Sequence, residues 1–254
     1  MMTDNPRSIW DAYWHSSVAS EYINHTPELL DLIRDHVDIA NCAALEIGAG
    51  TGGNSIALAG LGVRVFALDF SEPAVRRILL NANQKQLAIQ VVNASAYNIP
   101  FAADTFDLIF HQGFLEHFRN PTVLLLEQAR VLRAGGMILV DVPQRYNLYT
   151  IYKKWRMRRG TWDAGGWETE FSHSELSAIL EKCGFEIVAS YGRGVFPYLV
   201  SGRNQLKRLE NLFFKSKGFP SAVWNFYDNA WYKLQHSIIG LNTLVCVGVL
   251  ARKL

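Results

Sequence analysis

A cluster of four glycines is the strongest chemical signal in the sequence, and it lies in the segment 46–53, which reads EIGAGTGG. Glycines at positions 48 and 50 let the backbone turn sharply and approach a ligand at van der Waals distance. Gly48, Gly50 and Gly53 also satisfy the G-x-G-x-x-G pattern of dinucleotide-binding turns. Asp69 follows nineteen positions after Gly50, where a carboxylate can accept hydrogen bonds from ribose hydroxyls. The pattern predicts a nucleotide site, with a tight turn that binds nothing as the simpler alternative.

Four titratable side chains are candidates for proton transfer, namely His111, Glu116, His117 and His173. His111 ends a predicted strand, at the carboxyl edge where open α/β sheets bind their ligands. Because histidine is the usual proton-transfer group near neutral pH, His117 and His111 are the predicted catalytic residues. Glu116 is interpreted as a charge at a helix start, and His173 lies within a predicted capping box, Ser172 to Glu175.

Alternating strands and helices are expected to position these residues. Apolar runs predict seven strands, at residues 43–47, 63–68, 89–92, 106–110, 137–142, 185–189 and 244–250. Five helices are predicted: from Pro27, over residues 54–59, after Ser71, from Pro121 and over residues 176–183. Ser71 is the predicted N-cap of the third helix, whose buried side would carry Val75, Ile78 and Leu79. The helix from Pro121 is expected to stop before Gly135-Gly136. This alternation is typical of a doubly wound α/β fold with a mostly parallel sheet.

Composition excludes several classes of protein. The 254 residues suffice for one elaborated domain, and 25 Lys and Arg against 23 Asp and Glu leave no field that would attract nucleic acid. Cys42, Cys183 and Cys246 are far apart in apolar surroundings, which predicts reduced cysteines in a cytoplasmic protein. No Cys or His pair has ligand spacing, so no metal site is predicted. The first residues lack a signal peptide, and the apolar run 238–250 is too short to span a bilayer.

Residues 42–143 resemble the class I S-adenosylmethionine-dependent methyltransferases of the ubiquinone-biosynthesis and small-molecule type. The family's acidic-x-Gly-x-Gly-x-Gly motif matches residues 46–52. Further landmarks follow in the family's order, at Asp69, Ile99-Pro100-Phe101, residues 106–111, residues 115–118 and residues 130–136. The resemblance implies a Rossmann-like sheet of seven strands with an antiparallel last strand. It also implies S-adenosylmethionine as cofactor and methyl transfer to a small-molecule or lipid-like acceptor.

Contacts to the cofactor are implied residue by residue. The implied set is Glu46, Gly48, Ala49, Gly50, Gly52, Asp69, Phe70, Ser95, Ala96, His111 and Tyr13. Glu46 favours this cofactor over a nicotinamide, because an acidic residue there can orient the loop and meet a cationic amino-acid ligand. Ser95 stands where family members carry the Asp that contacts adenine. Adenine recognition is therefore expected to use Ser95, the Ala96 backbone or Asn93.

Segments outside that region are predicted to form a helical, aromatic cap on the single domain, at residues 1–25, 144–172 and 195–240. Trp10, Tyr13 and Trp14 could face a sulfonium through cation–π contacts, or simply pack on the sheet. Residues 149–160 carry five positive charges among aromatics, and 195–240 has a similar mixture. Such mixtures favour an anionic acceptor or an anionic membrane surface, unless the cap is merely a solvated face.

Two alternative functions are compatible with the same residues. One is an NAD(P)-dependent oxidoreductase, because the glycine pattern also fits dinucleotides. The other is a non-catalytic protein that keeps the cofactor pocket. The acceptor, its nucleophilic atom and the oligomeric state have no signal in the sequence.

Overall fold

A twisted sheet of seven strands organises the computed structural model, which describes residues 7–15, 25–161, 168–194 and 221–254. The strand order is β3-β2-β1-β4-β5-β7-β6. Strands β1 to β5 are parallel, and β7 runs antiparallel to both neighbours, β5 and β6. The bounds are β1 Ala43–Ile47, β2 Arg64–Asp69, β3 Gln90–Asn93, β4 Phe106–Gln112, β5 Leu132–Pro143, β6 Phe185–Arg193 and β7 Cys246–Lys253.

Helices cover both faces of the sheet. Within the described residues they are α1 Arg7–His15, α2 Pro27–His36, α3 Gly53–Gly60, α4 Glu72–Gln84, α5 Pro121–Val131, α6 Leu148–Arg158, α7 His173–Lys182, α8 Ser221–Gln235 and α9 Ile238–Thr243, with a 3₁₀ turn at Leu115–His117. Leu124 of α5 and Leu176 of α7 pack on one face. Leu29 of α2 and Leu58 of α3 pack on the other. The doubly wound, mostly parallel fold is confirmed, and β1 is buried along its whole length as such a sheet requires.

Local signals placed several boundaries correctly. Strand β1 has the predicted bounds, and α2 and α5 begin at Pro27 and Pro121, since proline is compatible with the first turn of a helix. The Ser172–Glu175 capping box is present at the start of α7. His173 donates to or accepts from Ser190 Oγ at 2.8 Å on the sheet, which agrees with a structural role.

Other boundaries were wrong. Helix α5 ends at Val131, and the Gly135-Gly136 pair lies inside β5 rather than at a helix stop. Phe106 of β4 pairs with Leu132 of β5, whereas Leu108 pairs with Met137. The register therefore shifts between these two pairs, and β5 has a bulge that contains the glycines.

Two details of α4 also differ from expectation. Leu79 is 43% exposed, because the buried face follows Ala74, Ile78 and Ala82 at helical spacing and Leu79 lies one position off it. Ser71 occupies the N-cap position, but its hydroxyl donates to Asp11 of α1 rather than capping α4.

Parts of the predicted cap lie in different places. Helix α1 lies over the carboxyl edge of the sheet, where it contacts helix α4. Helices α8 and α9 pack beside β6, where Gln235 donates to Glu28 of α2 at 3.1 Å. Residues 16–24, 162–167 and 195–220 lie outside the described residues, and so does much of the third predicted cap segment. Over the described part of the chain, no helix combines the length and apolar character needed to cross a bilayer.

Candidate functional site

The glycine-rich turn joins β1 to α3 in a conformation that requires glycine. Gly48, Gly50 and Gly52 have φ angles of 64°, 56° and 74°, in the left-handed region. The N–H groups of Gly48 and Ala49 donate to the Leu68 carbonyl at 2.8 and 3.2 Å, which fastens the turn to the end of β2. A Cβ on Gly48 would lie 2.5 Å from the Phe114 ring, so a larger residue would displace that ring.

Asp69, at the end of β2, is held by backbone donors. Its Oδ2 accepts from the Gly50 N–H at 3.0 Å, and its Oδ1 accepts from the Ser71 N–H at 2.9 Å. Burial raises the pKa of Asp69 to about 6, although these N–H donors oppose the shift. The carboxylate is therefore ionised at neutral pH, with lone pairs left for ligand hydroxyls.

Glu46 lies beneath the turn rather than in front of it. Its carboxylate accepts from the Ser55 N–H at 3.0 Å and from the Ser55 hydroxyl, at the start of α3. Burial raises the pKa of Glu46 to about 7. Glu46 is thus placed to orient the loop, and its direct contact with a cofactor stays a prediction.

A cavity of about 630 Å³, including its open mouth, lies at the carboxyl ends of β1 to β4, where ligands bind to open α/β sheets. Its wall consists of Gly48, Leu68, Asp69 and Phe70 on one side, Ala94, Ser95, Ala96 and Tyr97 on the second, and Gly113, Phe114, His117 and Phe118 on the third. Trp10 and Trp14 of α1 close it from above. The cavity brings together six of the predicted site residues, namely Gly48, Asp69, Phe70, Ser95, Ala96 and His117.

The other predicted cofactor residues are outside that wall. Ala49 packs with Ala67 and Ile78 beneath the turn. Gly50 is covered by the Trp14 ring, and Gly52 forms the N-cap of α3. Tyr13 packs edge-on against Trp10 and Trp14, so the rings that meet the cavity belong to its two neighbours.

The structure separates the two predicted catalytic histidines. His111 is fully buried on the sheet face that α5 covers, beside Gln128, and burial lowers its pKa to about 3. It is neutral, and it lies not in the cavity wall but against the ring of the wall residue Phe114, at 5.2 Å between centroids. His117 lies in the 3₁₀ turn after β4 and lines the cavity, with the Trp10 ring edge-on at 4.6 Å between centroids. Only His117 keeps the predicted catalytic placement.

Several polar contacts fasten helix α1 over the cavity. Arg7 Nε donates to the Phe70 carbonyl at 2.8 Å, and the Ser71 hydroxyl donates to Asp11 at 2.7 Å. Arg77 of α4 donates to the Trp14 carbonyl at 3.1 Å. These contacts place Trp14 so that a Cβ on Gly50 would lie 2.5 Å from the ring. The N-terminal aromatic segment is therefore a lid on the turn.

Several residues of the cavity wall were not predicted. Tyr97, Gly113, Phe114 and Phe118 line the cavity, but they were not among the predicted site residues. Their position just after β3 and β4 was the signal that could have found them. No pattern in the sequence predicts that Glu168 lies near Glu116. The two residues are distant in sequence and are brought together by a backbone hydrogen bond from the Thr169 N–H to the Glu116 carbonyl, at 2.9 Å.

The basic residues of α6 are partly neutralised. Lys153 is 1% exposed and forms ion pairs with Glu168 at 2.9 Å and Glu170 at 2.6 Å. Lys154 pairs with Glu170 at 3.2 Å. Arg159 stacks on the Trp155 ring at 4.1 Å. Both lysines of α6 are therefore paired with carboxylates.

Residues 45–140 match the family model described as a methyltransferase domain. A ubiquinone biosynthesis O-methyltransferase of Cereibacter sphaeroides is 28% identical over 155 residues, which is 58% of this chain and 62% of that protein. A demethylmenaquinone methyltransferase of Clavibacter sepedonicus is 34% identical over 126 residues, which is 46% of this chain and 49% of the relative. The chain thus spans less than two thirds of the length of these curated relatives.

Solved structures share the fold across nearly the whole chain. One is a SAM-dependent methyltransferase of Thermotoga maritima described as a possible histamine N-methyltransferase, with a TM-score of 0.64, 16% identity and 98% of each chain covered. Another is a phosphoethanolamine N-methyltransferase of Haemonchus contortus in complex with S-adenosyl-L-methionine, with a TM-score of 0.65, 19% identity, and 97% of this chain and 59% of that chain covered. Turn, strand order and these matches agree: residues 45–140 match a methyltransferase domain, and the chain shares the fold of solved SAM-dependent methyltransferases.

Proposed function

We propose that this protein binds S-adenosylmethionine in the cavity and transfers its methyl group to a small-molecule acceptor. The observation that carries the proposal is the continuity of one cavity from Asp69 and Gly48 to His117. The first end has the carboxylate and backbone turn that suit a nucleoside. The second end has a histidine among aromatic rings, which suits a reaction shielded from water.

Each side of the cavity has a distinct role in this proposal. Asp69 accepts from the ribose hydroxyls, and Phe70, Ser95 and Ala96 flank the base. Trp10 and Trp14 of the lid exclude water and present π faces to positive charge. When bound, S-adenosylmethionine supplies a methyl group on an already activated sulfonium. The protein therefore needs chiefly to align the acceptor, and His117 is placed to remove its proton where one must leave.

Binding and turnover test the proposal separately. Calorimetry with S-adenosylmethionine, S-adenosylhomocysteine and NAD⁺ should give binding of the first two only. NAD⁺ binding alone would instead favour the oxidoreductase alternative. Transfer of a labelled methyl group to a panel of phenols, amines and carboxylic acids then tests catalysis. Tight cofactor binding without transfer to any acceptor of the panel would favour the non-catalytic alternative.

We further propose that α6 places the protein on an anionic membrane surface, from which a lipid-like acceptor would be reached. Leu148, Ile151 and Trp155 are 67%, 63% and 46% exposed, and their spacing puts them on one face of the helix. Three arginines follow along the same segment, at 156, 158 and 159. An exposed apolar stripe with cationic neighbours is typical of helices that lie in the membrane interface.

Vesicle sedimentation tests the membrane proposal. The wild type should bind vesicles containing phosphatidylglycerol and not vesicles of phosphatidylcholine alone. Ile151→Asp and Trp155→Asp should abolish binding, whereas Leu80→Asp, on an exposed apolar residue of α4, should not. Equal binding by all three variants would contradict a role for α6. The cytoplasmic location and the anionic acceptor stay predictions.

A further inference from the structure

Glu116 is a buried carboxyl group with unused hydrogen-bonding capacity. It is 3% exposed, and among the described residues its Oε2 has no hydrogen-bond partner. A buried polar atom without a hydrogen-bond partner destabilises the folded protein. The side chain is therefore not explained by stability, because an apolar residue of similar size would avoid that cost.

A second carboxylate faces the same space. Acidic oxygens of Glu116 and Glu168 and a ring nitrogen of His117 all lie within 4.8 Å of one another. Lys153 forms an ion pair with Glu168, and it forms a second one with Glu170. Two further carboxylates near the site, Asp141 and Glu170, are already paired with Arg193 and with the α6 lysines. Among the described residues Glu116 forms no ion pair with these cations, although the charge of Lys153 favours its ionised form.

This pair of carboxyl groups adjoins the cavity. His117 and Gly113 belong to the cavity wall. A Cβ on Gly113 would lie 3.7 Å from Glu116 Oε1, so this residue of the cavity wall is within van der Waals reach of the carboxyl group. Phe114, Phe118 and Trp10 supply aromatic rings on the same side.

We infer that Glu116 and Glu168 form a subsite for a cationic amine group of the acceptor, at the His117 end of the cavity. This inference rests on the proposed function and narrows its substrate class. An ammonium group offers several N–H donors to the two carboxyl groups and favours their ionised forms, and aromatic walls favour organic cations. The acceptor is therefore a small amine, rather than the anionic molecule that the composition of the cap segments favours.

Two other cations have to be distinguished from an acceptor amine. A bare divalent ion at the subsite would face the Lys153 ammonium, which bonds to Glu168 at 2.9 Å, so the site suits a monovalent donor better. The sulfonium of the cofactor is the other candidate. If Glu116 faced it, Glu116→Gln would weaken S-adenosylmethionine more than uncharged S-adenosylhomocysteine.

Matched amines and alcohols test the inference by calorimetry, with the full chain saturated with S-adenosylhomocysteine near neutral pH. The probes are butylamine, phenethylamine and tryptamine, against butanol, phenylethanol and tryptophol. At least one amine should bind at least tenfold more tightly than its alcohol. Glu116→Gln and Glu168→Gln should remove that preference, whereas Glu181→Gln, on the exposed side of α7, should keep it.

Three results would overturn the inference. One is a wild type that prefers no amine over its alcohol. The second is Mg²⁺ or Mn²⁺ binding that Glu116→Gln abolishes. The third is a Glu116→Gln variant in which the ratio of S-adenosylmethionine to S-adenosylhomocysteine affinity falls at least tenfold. In each case intact S-adenosylhomocysteine binding leaves the proposed function standing, whereas loss of all cofactor binding in the wild type refutes that function itself.

Discussion

The backbone N–H of Gly50 donates to Oδ2 of Asp69 at 3.0 Å, so the glycine-rich turn and the carboxylate at the end of β2 form one unit. The Leu68 carbonyl adds two more hydrogen bonds from the same turn. The end of the adjacent strand thus helps to position the backbone of the turn. A change at Asp69 should therefore affect both the carboxylate and the turn.

Asp69→Ala should weaken S-adenosylmethionine binding at least tenfold, because charge-assisted hydrogen bonds are each worth about 1.5–3 kcal/mol. Asp69→Asn should weaken it less, since the amide oxygen still accepts one of the two backbone N–H bonds. Calorimetry measures both affinities, and circular dichroism checks folding. Asp35→Ala, on the exposed end of α2, is the control. Wild-type affinity in Asp69→Ala would mean that the ribose is held elsewhere.

Cofactor affinity should fall as the pH decreases through about 6. Burial raises the pKa of Asp69 to about 6, so below that value the group is protonated and accepts hydrogen bonds less well. Binding in turn should lower the pKa of Asp69, because ligand hydroxyls favour the ionised form. Calorimetry between about pH 5 and 8 measures the dependence. The pH dependence of the affinity should disappear in Asp69→Asn. It should persist in Glu46→Gln, which removes the other carboxyl group near the turn whose pKa is raised.

Gly50→Val should abolish cofactor binding, because its Cβ would lie 2.5 Å from the Trp14 ring and push the lid out of place. The left-handed backbone adds a cost of about 1–2 kcal/mol for any side chain. Gly62→Val is the matched control, since Gly62 also has a positive φ, of 88°, but nothing within 4 Å of the added Cβ. Equal loss of binding in both variants, measured by calorimetry, would attribute the effect to backbone strain and refute the role of the lid contact.

Glu116→Gln should make the protein more stable than the wild type, with the difference growing as the pH rises above the usual range for Glu. Burial raises the pKa of Glu116, so the folded state binds more protons than the unfolded state in that window. The stability of the wild type therefore falls as the pH rises toward the folded-state pKa, and the amide removes this dependence. Urea unfolding at about pH 5 and pH 8 measures it. A constant difference between the two pH values would show that Glu116 does not titrate in this way.

Local patterns determined most of the elements. The strand β1, the proline starts of α2 and α5 and the capping box of α7 all depend on residues close in sequence, which is why they were predictable. Errors arose where packing decides between local alternatives. Leu79 is as apolar as Ile78, and only the position of the sheet makes one exposed and the other buried.

For the site, the sequence by itself determined the glycine-rich turn and Asp69, because their conformational requirement and spacing are local. Only the tertiary structure separated His111 from His117. His111, near the end of β4, faces helix α5, whereas His117, in the turn after β4, faces the cavity. Only the tertiary structure also brought Glu168 to Glu116, through backbone pairing between distant segments. Contacts between distant segments also decide which charged groups form ion pairs. For this reason composition predicted cationic segments beside the acceptor, whereas the described structure has the buried carboxyl group of Glu116 without an ion pair.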